Sequence, residues 1–411
     1  MRTLFQTEIC SAASDRNNEV LHQKLSIFSR GSDSNNKAEL QYLEFVSPLS
    51  SEDYRLLEVN ALIADRLMAG EELVIRGEQE DSAVLCTSDE TFDIKEVVTS
   101  NVLLLIPEFH FSTKTNVDNN SEITREVIAM KNNFLEIRKM AYVSVQRLKE
   151  KLSESELEWI ERCNINEKLY TVADLLNTVQ MSELQLTNCL KSMPVICLDG
   201  YVRLLSTEYR DRLVTELVDY LDDDEEPGIT LGAIELECLK NAFKKHHPEK
   251  DIPMEVVLWL INTFCNDVEV CGERIRCINE KAICRAKISQ LLRAAVQIEY
   301  DVFEKSLQQI LPIGVYSKVE YFEGLAYIDD QLATGKTIRY LNVEDLPEEP
   351  IKRFQILFTL RQSWKMSDMR PYFVDLCPTD RLLNEIFMSF CKQKIGREKE
   401  KILIGLKEEL L

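Results

Sequence analysis

One stretch of the sequence decides the fold of the C-terminal part, and it reads LNVEDLPEEPIKRFQILFTLRQSWKMSDMRPYFVDLC (residues 341–377). An acidic loop ends at Pro347, and Pro350 is placed to open a helix because its fixed φ suits the first helical position. Large apolar side chains follow at helical spacing: Phe354, Leu357, Phe358 and Trp364. The pattern predicts a helix with one buried side. It contains no catalytic grouping.

The other side of this helix carries positive charge. Residues 351–370 contain a single acidic residue, Asp368, and five basic residues that form the predicted DNA-binding set: Lys352, Arg353, Arg361, Lys365 and Arg370. The chain as a whole has a net charge of -21, which argues against a surface that binds nucleic acid throughout. Any DNA contact is therefore expected to be local, sequence-independent and sensitive to salt. A solvated helix face is the alternative interpretation of the same charges.

The composition is that of a globular protein with several domains, since 45% of the 411 residues are apolar and 29% are charged. No apolar run is long enough to predict a membrane span. The twelve cysteines lack the close paired spacing of a zinc site, and the start of the chain does not predict a secretory leader, so a reduced compartment is expected.

No motif predicts catalysis, a metal or a cofactor. Gly335-Lys336-Thr337 lacks the upstream glycine of a phosphate-binding loop, because that position is Asp330. The adjacent His246 and His247 stand at a basic helix end, where they compensate the helix dipole. The sequence therefore favours a protein that acts by binding.

The N-terminal half divides into three predicted segments. Residues 1–37 are rich in Ser, Asn and Asp and are predicted to be a mobile leader. Residues 38–115 contain several short apolar runs separated by turn residues, which predicts a small open sheet, here called the strand module, with edges that a partner strand can complete. Residues 116–164 are predicted to be a helical connector, based on the apolar pattern from Ile123 to Leu152.

The C-terminal half shows the same order of elements three times: short helices, a two-strand ribbon and another helix. This is the order of a winged helix. The predicted boundaries are 165–222, 229–298 and 299–395, followed by a tail at 396–411. The fold class is therefore predicted to be α+β, with a partner-completed barrel module, a connector and tandem winged-helix domains.

Several of these segments resemble one protein family, the sister chromatid cohesion (Dcc) subunits of the alternative replication factor C-like clamp loader. The matching residues are Leu73–Gly77, Ala83–Cys86, Thr91–Asp93, Thr99–Pro107, Lys281–Ala286 and Gly324–Cys377. The resemblance covers roughly residues 40–395.

The resemblance implies a nuclear, non-catalytic scaffold subunit that acts in DNA replication and sister chromatid cohesion. Its strand module would pair with a small companion cohesion subunit and with the large subunit of the clamp loader. The winged-helix modules would contact the leading-strand DNA polymerase epsilon and DNA. The partner-binding residues predicted on this basis are Leu73, Ile75, Val84, Leu85, Phe92, Leu104 and Ile106.

A free-standing winged-helix DNA-binding regulator is the alternative function. Such a protein needs outward-facing polar and basic residues on a recognition helix. In the first predicted winged unit this helix carries Glu183 and Gln185 and has no basic residue before Lys191, so phosphate anchoring there is poor.

Overall fold

The computed structural model describes residues 41–47, 49, 51–78, 81–109, 123–140, 142–160, 168–226, 228–270, 273–329, 335–377, 379–396 and 400–407. The chain forms two compact units, the first made of Met1–Glu58 with Lys95–Glu136 and the second of Val59–Ile94 with Ile137–Leu411. Helices and several sheets are both present, which confirms the α+β class. The predicted leader at 1–37 lies outside the described residues.

The described part of the first unit consists of strands and one 3-10 turn (Ser51–Asp53). Strand β1 (Gln41–Phe45) pairs in parallel with β6 (Ile123–Val127). Strand β2 (Leu57–Glu58) pairs in parallel with β7 (Ala129–Lys139), and β7 lies beside β5 (Thr91–Leu105). Strands β5 and β7 each contribute residues to both units.

The second unit begins with the rest of the strand module. It contains helix α1 (Ala61–Met68), β3 (Val74–Arg76) and β4 (Val84–Cys86). Strand β4 pairs antiparallel with β3 on one side and with the start of β5 on the other. The Asn60 side chain caps α1 by accepting a hydrogen bond from the Ile63 amide.

The predicted helical connector is wrong over residues 123–139, where the structure has strands β6 and β7. Among the described residues of the predicted connector, only α2 (Gln146–Ser153) is helical. Pairing with a neighbouring strand decides the conformation, since Leu135 is the register partner of Leu57. Apolar residues that fit helical spacing also fit a half-buried strand, and tertiary pairing overrides the weak helix preference.

The remaining elements form four successive repeats. Repeat 1 (146–204) contains α2, α3 (Val172–Thr178), α4 (Glu183–Ser192), β8 (Val195–Leu198) and β9 (Tyr201–Leu204). Repeat 2 (207–278) contains α5 (Thr207–Leu221), α6 (Leu236–His246), α7 (Met254–Phe264), β10 (Cys265–Val270) and β11 (Glu273–Ile278).

Repeat 3 (280–340) contains α8 (Glu280–Ala295), β12 (Gln297–Glu299), α9 (Tyr300–Ile310), a 3-10 turn (Val319–Phe322), β13 (Ala326–Asp329) and β14 (Thr337–Tyr340). Repeat 4 (350–406) contains α10 (Pro350–Leu360), β15 (Trp364–Lys365), α11 (Met366–Met369), α12 (Asp380–Phe390), β16 (Cys391–Ile395) and β17 (Lys401–Leu406).

The same strand pairing recurs in all four repeats: an early strand or extended residue pairs with the last strand of the hairpin. In repeats 3 and 4 a short first strand pairs with the last strand of the hairpin, giving the orders β12-β14-β13 and β15-β17-β16. In repeat 2 the Ile234 amide donates to the Arg276 carbonyl of β11, and in repeat 1 Tyr170 bridges to Val202 of β9. The predicted order of short helices, a ribbon and a further helix is thus found in repeats 1 to 3, where the helix after each hairpin opens the next repeat, while repeat 4 ends at its hairpin within the described residues.

The predicted tail at 396–411 belongs in part to repeat 4. Strand β17 pairs with both β15 and β16, and its Leu403 and Leu406 are buried in the same core as Trp364. The predicted stripe of α10 is confirmed in part: Phe354 and Leu357 are fully buried and Phe358 is half-buried, but Trp364 lies beyond the end of the helix, on β15. The Trp364 indole Nε1 donates to the Leu357 carbonyl at 2.9 Å, which ties β15 to α10.

Candidate partner and nucleic-acid interfaces

Strand β5 exposes apolar side chains on both of its faces. Within the first unit Val102 and Leu104 lie on one face and Leu103 on the other, because successive strand residues alternate. All three are exposed, and Val98 on the same strand is 72% exposed. Among the residues of this unit whose burial the structure describes, only Val127 and Ala129 are buried. The unit therefore has almost no core of its own.

The backbone of β5 also has an open edge. Strand β4 pairs with β5 only at Thr91–Asp93, and beyond that no strand of the described ranges pairs with the same edge up to Leu105. In the second unit the sheet order ends at β3, whose Ile75 is 60% exposed. Unpaired strand edges of this kind are templates for another chain.

The predicted partner-binding residues separate into two groups. Ile75 and Leu104 are exposed, and Leu73 and Ile106 are half-buried, so all four can touch a partner. Val84, Leu85 and Phe92 are buried. This placement corrects the predicted set for those three, because β4 lies inside the sheet and this chain already covers its side chains. Val98, Val102 and Leu103 are further exposed residues of β5 outside the predicted set; the aliphatic run Val102-Leu103-Leu104-Leu105-Ile106 is the sequence signal for the last two, and Val98 has none.

One member of the predicted DNA-binding set, Arg353, is 1% exposed. Its Nε donates to the Pro347 carbonyl at 2.7 Å, and its Nη1 donates to the Tyr372 carbonyl at 2.7 Å and to Asp375 Oδ1 at 2.6 Å. These bonds occupy the guanidinium and leave no surface for a phosphate. Arg353 is therefore corrected to a structural residue that joins the acidic loop to the turn after α11.

Three of the other four basic residues of the set have a different contact each. Lys352 Nζ lies 2.7 Å from Glu349 Oε2, and Arg370 pairs with Asp380. The Arg361 guanidinium lies 5.7 Å from the Trp364 ring centroid. The remaining residue, Lys365, is exposed and makes no ion pair with a described residue.

A second basic surface lies on the β16–β17 hairpin, of which β16 falls in the predicted third winged unit (299–395) and β17 in the predicted tail (396–411). Lys392 and Lys394 are both exposed on β16, whose register with β17 shifts between Lys392 and Gln393. Lys401 is exposed at the start of β17. The alternation of lysine with other residues after Cys391 was the available signal. The pairing of β16 with β17, which brings these lysines onto one hairpin, is not visible in the sequence.

The recognition helix required by the regulator alternative is engaged inside the second unit. In repeat 1 the Thr91 hydroxyl donates to Gln185 Oε1 at 2.5 Å, and the Ser182 amide and hydroxyl donate to the same oxygen. The Leu184 amide donates to the Ser88 carbonyl at 3.1 Å. The start of α4 therefore packs against the strand module and does not face a groove of DNA.

Several cysteine, lysine and histidine side chains of the described residues are buried or held in contacts within the chain. Burial raises the pKa of the Cys265 and Cys284 thiols to about 11 and that of Cys391 to about 12, so these thiols stay protonated at neutral pH. Lys336 Nζ lies 3.7 Å from the Tyr300 ring centroid, and His247 Nε2 lies 2.9 Å from Glu216 Oε1. Across the described ranges, no group of three or more His, Cys, Asp or Glu could hold a metal. No described helix is long and apolar enough to cross a bilayer.

Comparison with known proteins gives a consistent result. The family model described as "Sister chromatid cohesion protein Dcc1" matches residues 54–373. Sister chromatid cohesion protein DCC1 of Xenopus tropicalis is 30% identical over 357 residues, covering 86% of this chain and 89% of the relative. The human DCC1 protein is 29% identical over 343 residues, with 82% and 85% covered, and that of Saccharomyces cerevisiae matches over 61 residues at 30% identity. The chain therefore belongs to the Dcc1 family of sister chromatid cohesion proteins.

Proposed function

We propose that this protein is a nuclear, non-catalytic scaffold subunit of an alternative sliding-clamp loader that supports sister chromatid cohesion during DNA replication. The observation that carries the proposal is strand β5, which exposes apolar side chains on both faces and an unpaired backbone edge. Membership in a family of cohesion proteins supports the same role. Because unpaired strand edges accept a strand from another chain, the strand module is proposed to bind partner subunits.

The strand module binds by completing a sheet. A partner strand on the open edge of β5 would satisfy its backbone groups, and partner side chains would cover Val102 and Leu104 on one face and Leu103 on the other. Full burial of one aliphatic side chain contributes about 1.5–3 kcal/mol. The proposed partners are the small companion cohesion subunit and the large subunit of the clamp loader.

The four repeats are winged-helix modules in this proposal. Its support is the shared connection, in which a short first strand pairs with the last strand of the hairpin. The modules hold polymerase epsilon and DNA. The DNA contact is made through the phosphate backbone by the β16–β17 hairpin, with Lys392, Lys394 and Lys401, together with the exposed Lys365 of β15. Such a contact weakens steeply as the salt concentration rises.

The test replaces Val102 and Leu104 together by lysine and measures the affinity for the two co-expressed partner subunits. Two buried charges in place of two aliphatic contacts are expected to weaken assembly by roughly 100-fold or more. The matched control is Val302→Lys on α9, an equally exposed valine in repeat 3, which should assemble normally. Unchanged affinity of the double variant would refute the proposal.

A further inference from the structure

Three large apolar side chains are exposed together in repeat 3, in the segment 311–319 that leads from α9 into the 3-10 turn. Ile313 is 80% exposed, Tyr316 66% and Val319 62%. Nowhere else among the residues whose burial the structure describes do three large apolar side chains, each more than 60% exposed, lie within seven residues. Single exposed apolar residues are ordinary on a protein surface, whereas a group of them marks a contact site.

The backbone of this segment is held by the rest of repeat 3 and by α5. Val315 is fully buried, and its carbonyl accepts a hydrogen bond from the Gln308 side chain at 3.0 Å. The Ile313 amide donates to Oδ1 of Asp222, the residue that ends α5, at 3.0 Å. The exposed side chains are therefore presented on an ordered backbone, which lowers the entropy cost of binding a partner.

The surface next to Ile313 is acidic. Residues 222–224 are three consecutive aspartates, and none of the three makes an ion pair with a described residue. Asp222 and Asp224 are exposed and Asp223 is half-buried. A partner that carries positive charge would therefore find unpaired carboxylates beside the apolar side chains.

The basic residue of the segment, Lys318, is already engaged within the chain. Its Nζ lies 5.7 Å from the Tyr321 ring centroid. Tyr321 is the main cause that raises the pKa of Lys318, and the carboxylates of Glu320 and Glu280 raise it further. The positive charge of Lys318 is therefore balanced by two acidic neighbours.

The charged groups on the residues that contact the segment, and on their immediate chain neighbours, are negative in sum. The acidic groups are residues 222–224, Glu280, Glu320 and Glu323. The basic groups are Lys281, Lys318 and Arg285, and the Arg285 guanidinium donates to the carbonyls of Tyr321 and Glu323. Arg361 and Asp368, which share a cavity with Val319, add one charge of each sign. The excess of acidic groups favours a basic partner.

We propose that the surface formed by Ile313, Tyr316 and Val319 is a docking site for a basic linear peptide of a partner protein. A large apolar side chain of the peptide packs against these three side chains, and flanking Lys or Arg side chains pair with the aspartates at 222–224. The apolar contact supplies most of the affinity, and the charges select which peptides bind. This inference goes beyond the scaffold function and does not depend on it.

The test starts from a random dodecapeptide library displayed on phage and selected against the full-length protein. The library is first depleted on the triple variant Ile313→Ser, Tyr316→Ser, Val319→Ser, which removes peptides that bind the exposed strand β5 or any other surface. The expected result is enrichment of peptides in which Lys or Arg residues flank a large apolar residue. A selection that enriches no peptide, or that enriches peptides without basic residues, overturns the inference.

The most enriched peptide is then synthesised with a fluorescent label, and Kd values are measured by fluorescence polarisation. Tyr316→Ser is expected to weaken binding by about tenfold or more, as for the loss of one large apolar contact. Replacing Asp223 and Asp224 together by Asn should weaken binding by about threefold to tenfold at low salt and by less at high salt, because salt screens exposed charges. Asp222 is kept, since its carboxylate holds the Ile313 amide.

Val172→Ser on α3 is the matched control, because it replaces an exposed valine of repeat 1, and its Kd should differ from that of the natural chain by less than about twofold. Tyr316→Ser is expected to fold with an unchanged Tm, since the side chain is mostly exposed. The inference is equally overturned if Tyr316→Ser binds the selected peptide as tightly as the natural chain does.

Discussion

The first unit and repeat 4 contain similar apolar residues, but they place them differently. In repeat 4, Phe354 lies against Phe373 and Phe387 with ring centroids 4.3 and 5.9 Å apart, and Trp364 is completely buried. In the first unit Val102 and Leu103 of β5 remain exposed. Repeat 4 is therefore stabilised by contacts within the chain. In the proposed function, another chain would supply the contacts that the first unit lacks.

The largest effect is expected for Trp364→Ala in repeat 4. The change leaves a large cavity and leaves the Leu357 carbonyl without its indole donor. The free energy of unfolding should fall by about 3–5 kcal/mol, as for other buried Trp→Ala substitutions. Urea unfolding of the full chain, followed by circular dichroism, measures it. A loss below about 1 kcal/mol would contradict the view that repeat 4 has an independent core.

A smaller loss is expected for Arg353→Met. The methionine keeps the apolar volume but leaves the Pro347 and Tyr372 carbonyls without donors, which should cost about 2–4 kcal/mol of unfolding free energy. The adjacent Lys352→Met is the control, since that lysine is exposed and should change stability by about 0.5 kcal/mol or less. Equal effects at the two positions would show that Arg353 is not a structural residue.

Alkaline pH should weaken repeat 4 through Cys391. Burial raises the pKa of this thiol to about 12 in the folded chain, from an ordinary value of 9.0. Above that ordinary value the unfolded chain releases the proton while the folded chain retains it, so stability falls as pH rises from about 9 towards 12. The contribution is up to about 1.4 kcal/mol per pH unit. Unfolding curves at pH 8 and pH 10 measure it, and Cys391→Ala should show a smaller decrease than the natural chain.

The smallest effect is expected for Val98→Thr in the first unit. The side chain is mostly exposed, so the unfolding free energy of the isolated chain should change by less than about 0.5 kcal/mol. The same substitution should weaken assembly with the partner subunits, because it places a hydroxyl where a partner would cover β5. If the isolated chain were strongly destabilised instead, the first unit would have a core of its own and the comparison would fail.

Much of the C-terminal half could be predicted from local patterns. Pro350, the apolar stripe of α10 and the turn at Asp199-Gly200 between β8 and β9 each depend on residues close together in sequence. The capping boxes that open α3 and α4, at Thr171 with Asp174 and at Ser182 with Gln185, are equally local. Helix starts and hairpins therefore followed from residue types, and the repeated order of elements followed from them.

The errors all concern contacts between distant residues. Nothing near Ile123 shows that this segment pairs with β1, and nothing near Lys401 shows that β17 completes the sheet of Trp364. The sequence around Arg353 is typical of an exposed basic helix. Its charge is buried because Pro347, Tyr372 and Asp375 come together around it in the fold.

By itself, the sequence determined the α+β class, the local elements of the repeats and the resemblance to cohesion proteins, because each depends on residue types at short spacing. Only the tertiary structure decided which strands pair, how many repeats there are and which charges are buried. The physical reason is that strand pairing and burial join residues far apart along the chain. Local preferences of a few tenths of a kcal/mol per residue are too weak to specify those contacts.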